Sequence, residues 1–329
     1  MNNANFSYLS LTPEIQLDAL ASIGIYPESG LSALNSYENR VYLFTDENKI
    51  RYVVKFYRPQ RWQKEQLLEE HQFCQELDQQ GCHLAPPVKV NGQSLFFFDG
   101  YYFALFKSLS ARTIEPDNID QLFDIGIALG KMHKIAAQGK FQYREPLDLQ
   151  TMFLTPIEAL KKSELIPNFV RQPLFATLEI LKEKLIQKYK PDNNLIRLHG
   201  DCHTSNILTR DDIPFFVDFD DCKMGPAVQD IWMLLSGDKQ EKQLQLSMLL
   251  DGYQEEYEFD HQQLALIEPL RTMRIINYVY WINKRWTDPA FPKNFPWFTT
   301  DDYWKELLQS LQQQIIALEE VPLTLRPCY

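Results

Sequence analysis

The stretch "LHGDCHTSNIL", Leu198 to Leu208, gathers two histidines, a cysteine, an aspartate and an asparagine. Three chemistries use such groups: metal ligation, thiol nucleophilic attack and phosphoryl transfer. His199 and His203 stand four apart, which on a helix would put both on one face, as zinc proteases arrange theirs. That pattern needs a glutamate directly after the first histidine, and here Gly200 follows, weakening a helix at that point. The preceding "LIRL" reads as a strand. A nucleophilic Cys202 would need a base oriented toward it in space, for which neighbours in sequence are poor support. A small packed side chain is the preferred reading of Cys202.

The third chemistry fits the spacing. His199-x-Asp201, four residues and then Asn206 reproduce the H-x-D-x-x-x-x-N spacing of a kinase catalytic loop. Twelve residues beyond Asn206 comes Asp218, at the end of the apolar run in "FFVDFDD". Phosphoryl transfer needs one carboxylate to orient the attacking hydroxyl, and an amide oxygen with a second carboxylate to hold Mg²⁺ against phosphates. Asp201, Asn206 and Asp218 can fill those places; the plain alternative is a set of loop-capping polar residues. Such a site also wants a lysine for the phosphates. Lys55, in "YVVKFY", lies among apolar neighbours where an unpaired charge would be costly, and it shares a strand face with Val53. In kinases this lysine pairs with a helix glutamate. Leu67, Glu70, Cys74 and Leu77 are spaced 3, 4 and 3, so Glu70 rides an apolar stripe and Glu69 sits off it.

These residues require particular elements around them. "LTPEIQLDALASIG" predicts a short helix capped by Thr12, with Pro13 in its first turn and Gly24 past its end. "LSALNS", "RVYLFTD" and "RYVVKFY" are strand-like, the last two joined by the turn "DENK". A helix is expected from Trp62 to about Leu77. "PVKVNGQSLFFFDGYYFALF" then predicts two or three strands, with hairpin signals at Asn91-Gly92 and Asp99-Gly100. After "SLSARTIEPDN", which looks like a linker, the period becomes helical: Leu122, Ile125, Leu129 and Met132 form one stripe, and Leu174, Leu178, Leu181 and Leu185 another. Two strand-like runs, "LIRLHG" and "FFVDF", interrupt this half, a helix is expected near Pro226, and three helical segments finish the chain. The expected domains are a β-rich lobe at 1–107 and a mostly helical lobe at 108–329, with a linker or hinge near 103–117.

Composition narrows the class. The 329 residues are 45% apolar and 13% aromatic, enough to fill two cores and too apolar for a disordered chain. Net charge is −11, from 44 acidic and 33 basic side chains, which opposes nucleic-acid and anionic-membrane binding but not a local phosphate pocket. "MNNANFSYLSL" does not read as a secretory signal, and no window approaches the ~20 apolar residues of a membrane helix. Cys74, Cys82, Cys202, Cys222 and Cys328 form no CxxC pair, consistent with reduced thiols in the cytoplasm. Without a heptad pattern, a monomer is the default.

Lys55, Glu70, "HGDCHTSNIL" and "VDFDD" together resemble the aminoglycoside phosphotransferase and choline kinase-like superfamily, distant relatives of eukaryotic protein kinases. Longer segments, "LNSYENRVY", "VVKFYRP", "EEHQF", "RLHGDCH", "GPAVQDIWMLL" and "DPAFPKNFPW", resemble a bacterial branch of stress-response kinases within it. The resemblance implies an α+β, bilobal protein-kinase-like fold. It implies a cytoplasmic, ATP- and Mg²⁺-dependent serine/threonine protein kinase. Position by position, it implies Asp201 as catalytic aspartate, Asn206 and Asp218 as magnesium ligands (Asp218 also as an active-site residue), and Lys55 on the α/β-phosphates. It further implies that Ser36 contacts nucleotide, that "FALFKSL" is the hinge holding adenine, and that Asp230 supports the catalytic loop. A first-turn carboxylate favoured by the helix dipole is the other account of Asp230.

The chain departs from the protein-kinase pattern in several places. No G-x-G-x-x-G exists, and "NSYENR" occupies the loop position. Asp220 replaces the glycine of D-F-G. Only seven residues separate Asp218 from Pro226, too few for a phosphorylatable activation segment. Tyr278, Tyr280, Trp281, Trp286, Phe291, Phe295, Trp297, Phe298, Tyr303 and Trp304 crowd the C-terminal third, as plain packing or as an aromatic cage for a quaternary ammonium. A small-molecule kinase of choline, homoserine or aminoglycoside type is therefore the first alternative, and an ATP-binding pseudokinase scaffold the second.

Overall fold

The structure, a computed structural model, describes residues 8–114, 118–191 and 194–325. Cys328, residues 1–7 of the N-terminal stretch and residues 115–117 of the expected linker lie outside them. The chain divides into two compact units. One contains the described residues up to 114 with Phe141–Arg144 and His203–Cys222; the other contains 118–140, Glu145–Cys202 and 223–325.

In the first unit, β1 (Ser32–Ala33), β2 (Arg40–Thr45), β3 (Arg51–Phe56), β4 (Phe96–Phe98) and β5 (Tyr101–Lys107) form an antiparallel sheet ordered β1-β2-β3-β5-β4. Alternation along β3 sorts its two faces. Val54 and Phe56 pack with Phe44, Phe103 and Leu105 and with Ala19 and Leu20 of α1 (Pro13–Ala21). On the other face Lys55 is followed by Tyr57, which packs with Ala104 and with Leu67 of α2 (Lys64–Gln79). Lys55 stands opposite Val41 and Ala104 in the register, and the small Ala104 leaves room above it.

Local signals explain the element ends. The Thr12 hydroxyl accepts from the Ile15 amide at 3.4 Å, capping α1. The second helix starts two residues later than expected, because the Gln66 side chain turns back to accept from the Gln63 amide at 2.9 Å. Asp99 and Gly100, both with positive φ, close the β4–β5 hairpin. Asn91-Gly92 makes the same kind of turn but closes only a bridge between Val90 and Gln93. Pro87 bridges Phe106 and the Val88 amide donates to the Leu105 carbonyl at 2.7 Å, so this segment joins β5 by a single bridge. A second small sheet pairs β6 (Arg112–Thr113) with β8 (Ile207–Arg210) and β8 with β9 (Ile213–Phe216). The hinge expectation falls on β5, β6 and the residues around them.

The second unit is helical: α3 (Ile119–Ala136), α4 (Thr155–Lys161), α5 (Asn168–Lys188), α6 (Gln229–Trp232), α7 (Lys239–Gln254), α8 (Ile267–Lys284), α9 (Ala290–Asn294) and α10 (Asp301–Ala317). Antiparallel β7 (Ile196–Leu198) and β10 (Lys223–Gly225) are its strands. Helix α3 meets α7 at glycines: a Cβ on Gly126 or Gly252 would enter the opposing helix's backbone, at the carbonyls of Leu249 and Phe123 respectively. The helix expected at Pro226 begins at Gln229, since the Pro226 carbonyl receives the Gln229 amide as an entry turn. In the aromatic run, Phe291, Phe298 and Trp304 are fully buried, and Trp281 packs on Phe291 with centroids 4.9 Å apart. Among the described residues no helix is long and apolar enough to cross a membrane.

Candidate active site

Within the first unit the structure brings Lys55, Glu70 and Asp218 together. The Lys55 ammonium donates to Asp218 Oδ1 at 2.6 Å and lies 3.4 Å from Asp220 Oδ1 and 3.9 Å from Glu70 Oε1. Lys55, Glu70 and Asp220 are buried, whereas the Asp218 side chain is 50% exposed. Burial opposes the ammonium, but the three carboxylates outweigh it and hold the Lys55 pKa well above the ordinary lysine value. At Glu70 burial prevails over the pull of Lys55 and Arg144 and drives the carboxyl up to about 7. At Asp220 the balance reverses: burial acts upward, but Arg61 and Lys55 hold its carboxyl below the ordinary range.

Asp218 has left-handed backbone (φ 63°, ψ 65°), a conformation that a non-glycine residue adopts at a cost and that recurs at functional sites. It follows Val217, whose amide donates to the Asn206 carbonyl at 3.0 Å. This bond puts Asn206, at the end of the 3₁₀ turn Thr204–Asn206, beside the strand end that presents Asp218.

Several members of this cluster have no local sequence signal. Arg144 is buried; it donates to Glu70 Oε2 at 3.0 Å and to the carbonyls of Asp220 (2.6 Å), Cys222 (3.1 Å) and Gln66 (2.9 Å). Arg61 pairs with Asp220 and, at 2.8 Å, with Asp221. Asn39 donates from Nδ2 to Asp220 Oδ2 at 3.0 Å and accepts from the Arg58 amide at 3.1 Å. The loop between β1 and β2 is thereby tied to the acidic cluster through Asn39. Ser36 sits half-buried in that loop, with no hydrogen bond or ion pair to Lys55, Glu70 or Asp218. Glu69, off the apolar stripe, accepts from the amides of Gln142, Tyr143 and Arg144, which fixes the turn carrying Arg144.

Asp201 belongs to the second unit, where a buried aspartate organises its loop. Asp230 Oδ2 accepts from the His199 amide at 2.7 Å, and Oδ1 from the Gly200 amide at 2.9 Å. His133 Nε2 lies 3.2 Å from Asp230 Oδ2, and its Nδ1 lies 3.0 Å from the Tyr253 hydroxyl, completing a buried relay. Gly200 has φ 85°, open to glycine at no steric cost. The Asp201 amide donates to His199 Nδ1 at 3.3 Å, so that histidine braces the loop. Asp201 Oδ1 receives the Arg274 guanidinium of α8 at 2.7 Å. Cys202 is fully buried, and burial pushes its thiol well above the ordinary range, which suits packing and not attack. His203 accepts from the Ser205 amide at 3.2 Å as a turn cap.

The donor set suits a hard divalent cation: a half-exposed carboxylate and a side-chain amide oxygen, leaving further coordination to phosphate and water. It equally suits a polyanion, since a buried ammonium is already held where phosphate oxygens could take over carboxylate contacts.

A model of the phosphotransferase enzyme family matches residues 30–267. Over all 329 residues of both chains the sequence is 46% identical to stress response kinase A of Escherichia coli (strain K12). It is 45% identical, again over both full lengths, to serine/threonine protein kinase RdoA of Salmonella typhimurium (strain LT2). Among solved structures, amicoumacin kinase hAmiN in complex with AMP-PNP, Ca²⁺ and Ami has a similar fold, with a TM-score of 0.73 over 94% of each chain and 20% identity. The resemblance carried by "LNSYENRVY", "RLHGDCH" and "DPAFPKNFPW" thus extends to the whole chain.

Proposed function

We propose that this chain, which belongs to the phosphotransferase enzyme family and is a kinase, transfers the γ-phosphoryl group of ATP to serine or threonine hydroxyls of proteins during a bacterial stress response. The observation that carries the catalytic assignment is the buried Lys55 ammonium, 2.6 Å from a half-exposed carboxylate on left-handed backbone. Support for a protein acceptor comes from relatives named as serine/threonine and stress response kinases at 45–46% identity over their full lengths. We assign nucleotide binding to residues 1–107 and the catalytic loop and substrate site to 108–329, in a monomeric cytoplasmic enzyme.

In this mechanism Lys55 holds phosphate oxygens, exchanging its contact with Asp218 for contact with the nucleotide, while Glu70 and Asp220 keep the ammonium in place. Asn206 and Asp218 would hold Mg²⁺, which when bound neutralises charge on the phosphates. Asp201, gripped by Arg274, accepts the proton of the acceptor hydroxyl. The acceptor oxygen bonds to the γ-phosphorus as the bond to the β–γ bridging oxygen breaks, and ADP leaves. Asp230 and His199 fix the backbone from which Asp201 projects. Ser36 is assigned to the nucleotide through its loop, and Asn39 holds that loop to Asp220.

Incubation with γ-labelled ATP and Mg²⁺, offering a generic protein beside choline, homoserine and an aminoglycoside, tests the acceptor. Label in protein, on the enzyme itself or the added one, is expected. Label solely in a small molecule would overturn the protein acceptor while leaving a kinase, and an absence of phosphoryl transfer would mark a scaffold.

A further inference from the structure

The second unit holds a cavity of about 860 Å³ bounded by α7, α8, α10 and the chain that follows α10. Five cations lie on its wall, Lys188, Lys239, Lys242, Arg271 and Arg274, against the carboxylates Glu268 and Glu320. This bias runs opposite to the chain's net charge of −11. Most of the cations have partners: Lys188 lies 3.3 Å from Glu319, Lys239 3.9 Å from Glu320, and Arg274 is bonded to Asp201. Two are underserved. The Lys242 side chain has no ion pair or hydrogen bond among the described residues. Arg271 Nε lies 3.3 Å from Glu268 Oε2 but out of line for a hydrogen bond, and is buried without one. That same Glu268 oxygen already accepts from Gln314 at 2.7 Å. Burial and the nearby Arg271 charge lower the Lys242 pKa against the weaker opposing pull of Glu268 and Asp238.

Resting on the protein-kinase reading above, we infer that this cavity receives acidic side chains flanking the acceptor hydroxyl, so that the enzyme selects serine and threonine in acidic peptide segments. Arg274 supplies the connection, since this one residue both lines the cavity and grips Asp201 through its guanidinium. The volume lies within the few hundred to about 1,000 Å³ of ligand sites, room for several side chains. Carboxylates entering there would give Lys242 its missing counter-charge beside Arg271, and charge-assisted bonds of this kind are strong and orienting. The acidic surface elsewhere would have suggested a basic substrate; the cavity's own charges argue for the opposite.

The test uses the full-length enzyme and three synthetic peptides that share one serine and differ only in glutamate, alanine or lysine flanks. The glutamate peptide is expected to show kcat/KM about tenfold above the alanine peptide, a gap that narrows with added salt. In Lys242→Glu that ratio is expected to fall to about one. Equal rates on all three peptides, or preference for lysine flanks, would overturn the inference and leave the protein-kinase reading standing. A glutamate preference that survives both Lys242→Glu and Arg271→Gln would overturn the cavity as its source. No label in any peptide would overturn the protein-kinase reading, and this inference with it.

Discussion

The cluster around Lys55 and the loop at His199–Asp201 hold their aspartates by different means. Around Lys55, charge is balanced by charge: Asp218, Asp220 and Glu70 face Lys55, with Arg61 and Arg144 behind them. Around His199, a single carboxylate, Asp230, takes two backbone amides and backs onto the His133–Tyr253 relay. Exposure separates them further, since the Asp218 side chain is 50% exposed and that of Asp230 is 0%. Ion pairs at a half-exposed carboxylate can exchange partners when a polyanion arrives. Backbone amides bonded to a buried carboxylate cannot be exchanged without unfolding the loop. One arrangement leaves its carboxylate able to change partners, and the other fixes a backbone position.

If that contrast is right, substitutions in the two regions separate activity from stability. Asp218→Asn should cut turnover roughly a thousandfold, the scale of losing a central electrostatic group, while a thermal melt stays close to wild type; parallel losses would make Asp218 structural. Asp230→Ala should do the reverse first, leaving buried donors unsatisfied at a cost of about 3–5 kcal/mol in urea unfolding, with activity lost because the loop is lost. An Asp230→Ala protein of normal stability would dissolve the contrast. Arg144→Met breaks its buried pair with Glu70 and should destabilise by about 3 kcal/mol, measured the same way.

The smallest effect concerns pH. The Glu70 carboxyl in the folded chain titrates near 7, above its ordinary 4.5, so folding favours the protonated form between those values. Its contribution to stability is complete below about 4.5 and is lost as pH rises through about 7. Glu70→Gln should therefore flatten the decline of unfolding free energy with pH over that window, and an unchanged slope would assign the decline to other groups.

Residues whose partners are close in sequence, or fall on a regular period, were legible. Asp201, Asn206 and Asp218 announce themselves by spacing, and Lys55 and Glu70 by their places on a strand and a helical stripe. The rest of the network spans separations with no period: Arg144 to Glu70 is 74 residues and Asn39 to Asp220 is 181. The one available hint was the density of carboxylates in "VDFDD", which demands cations from elsewhere. Hinting at them is not naming them, and Arg61 and Arg144 are identified by the fold that brings them to those residues. In the loop before β2, the family resemblance pointed to Ser36, while the structure ties Asn39 to the acidic cluster. Arg274 was hidden for the same reason, 73 residues beyond Asp201 on a helix whose pattern is ordinary. The fold was easier, because strand alternation, Asn-Gly and Asp-Gly turns and leucine stripes are all local. The cavity beside Arg274 depends on packing between helices and had no sequence signature.

The role proposed for Asp201 is on the acceptor hydroxyl and not on folding or nucleotide binding. Single-turnover phosphoryl transfer by Asp201→Asn, alongside nucleotide affinity measured on the same protein, tests it most directly. The expected rate is lower by roughly a thousandfold or more, with nucleotide affinity within about threefold of wild type. An unchanged transfer rate in Asp201→Asn would contradict it.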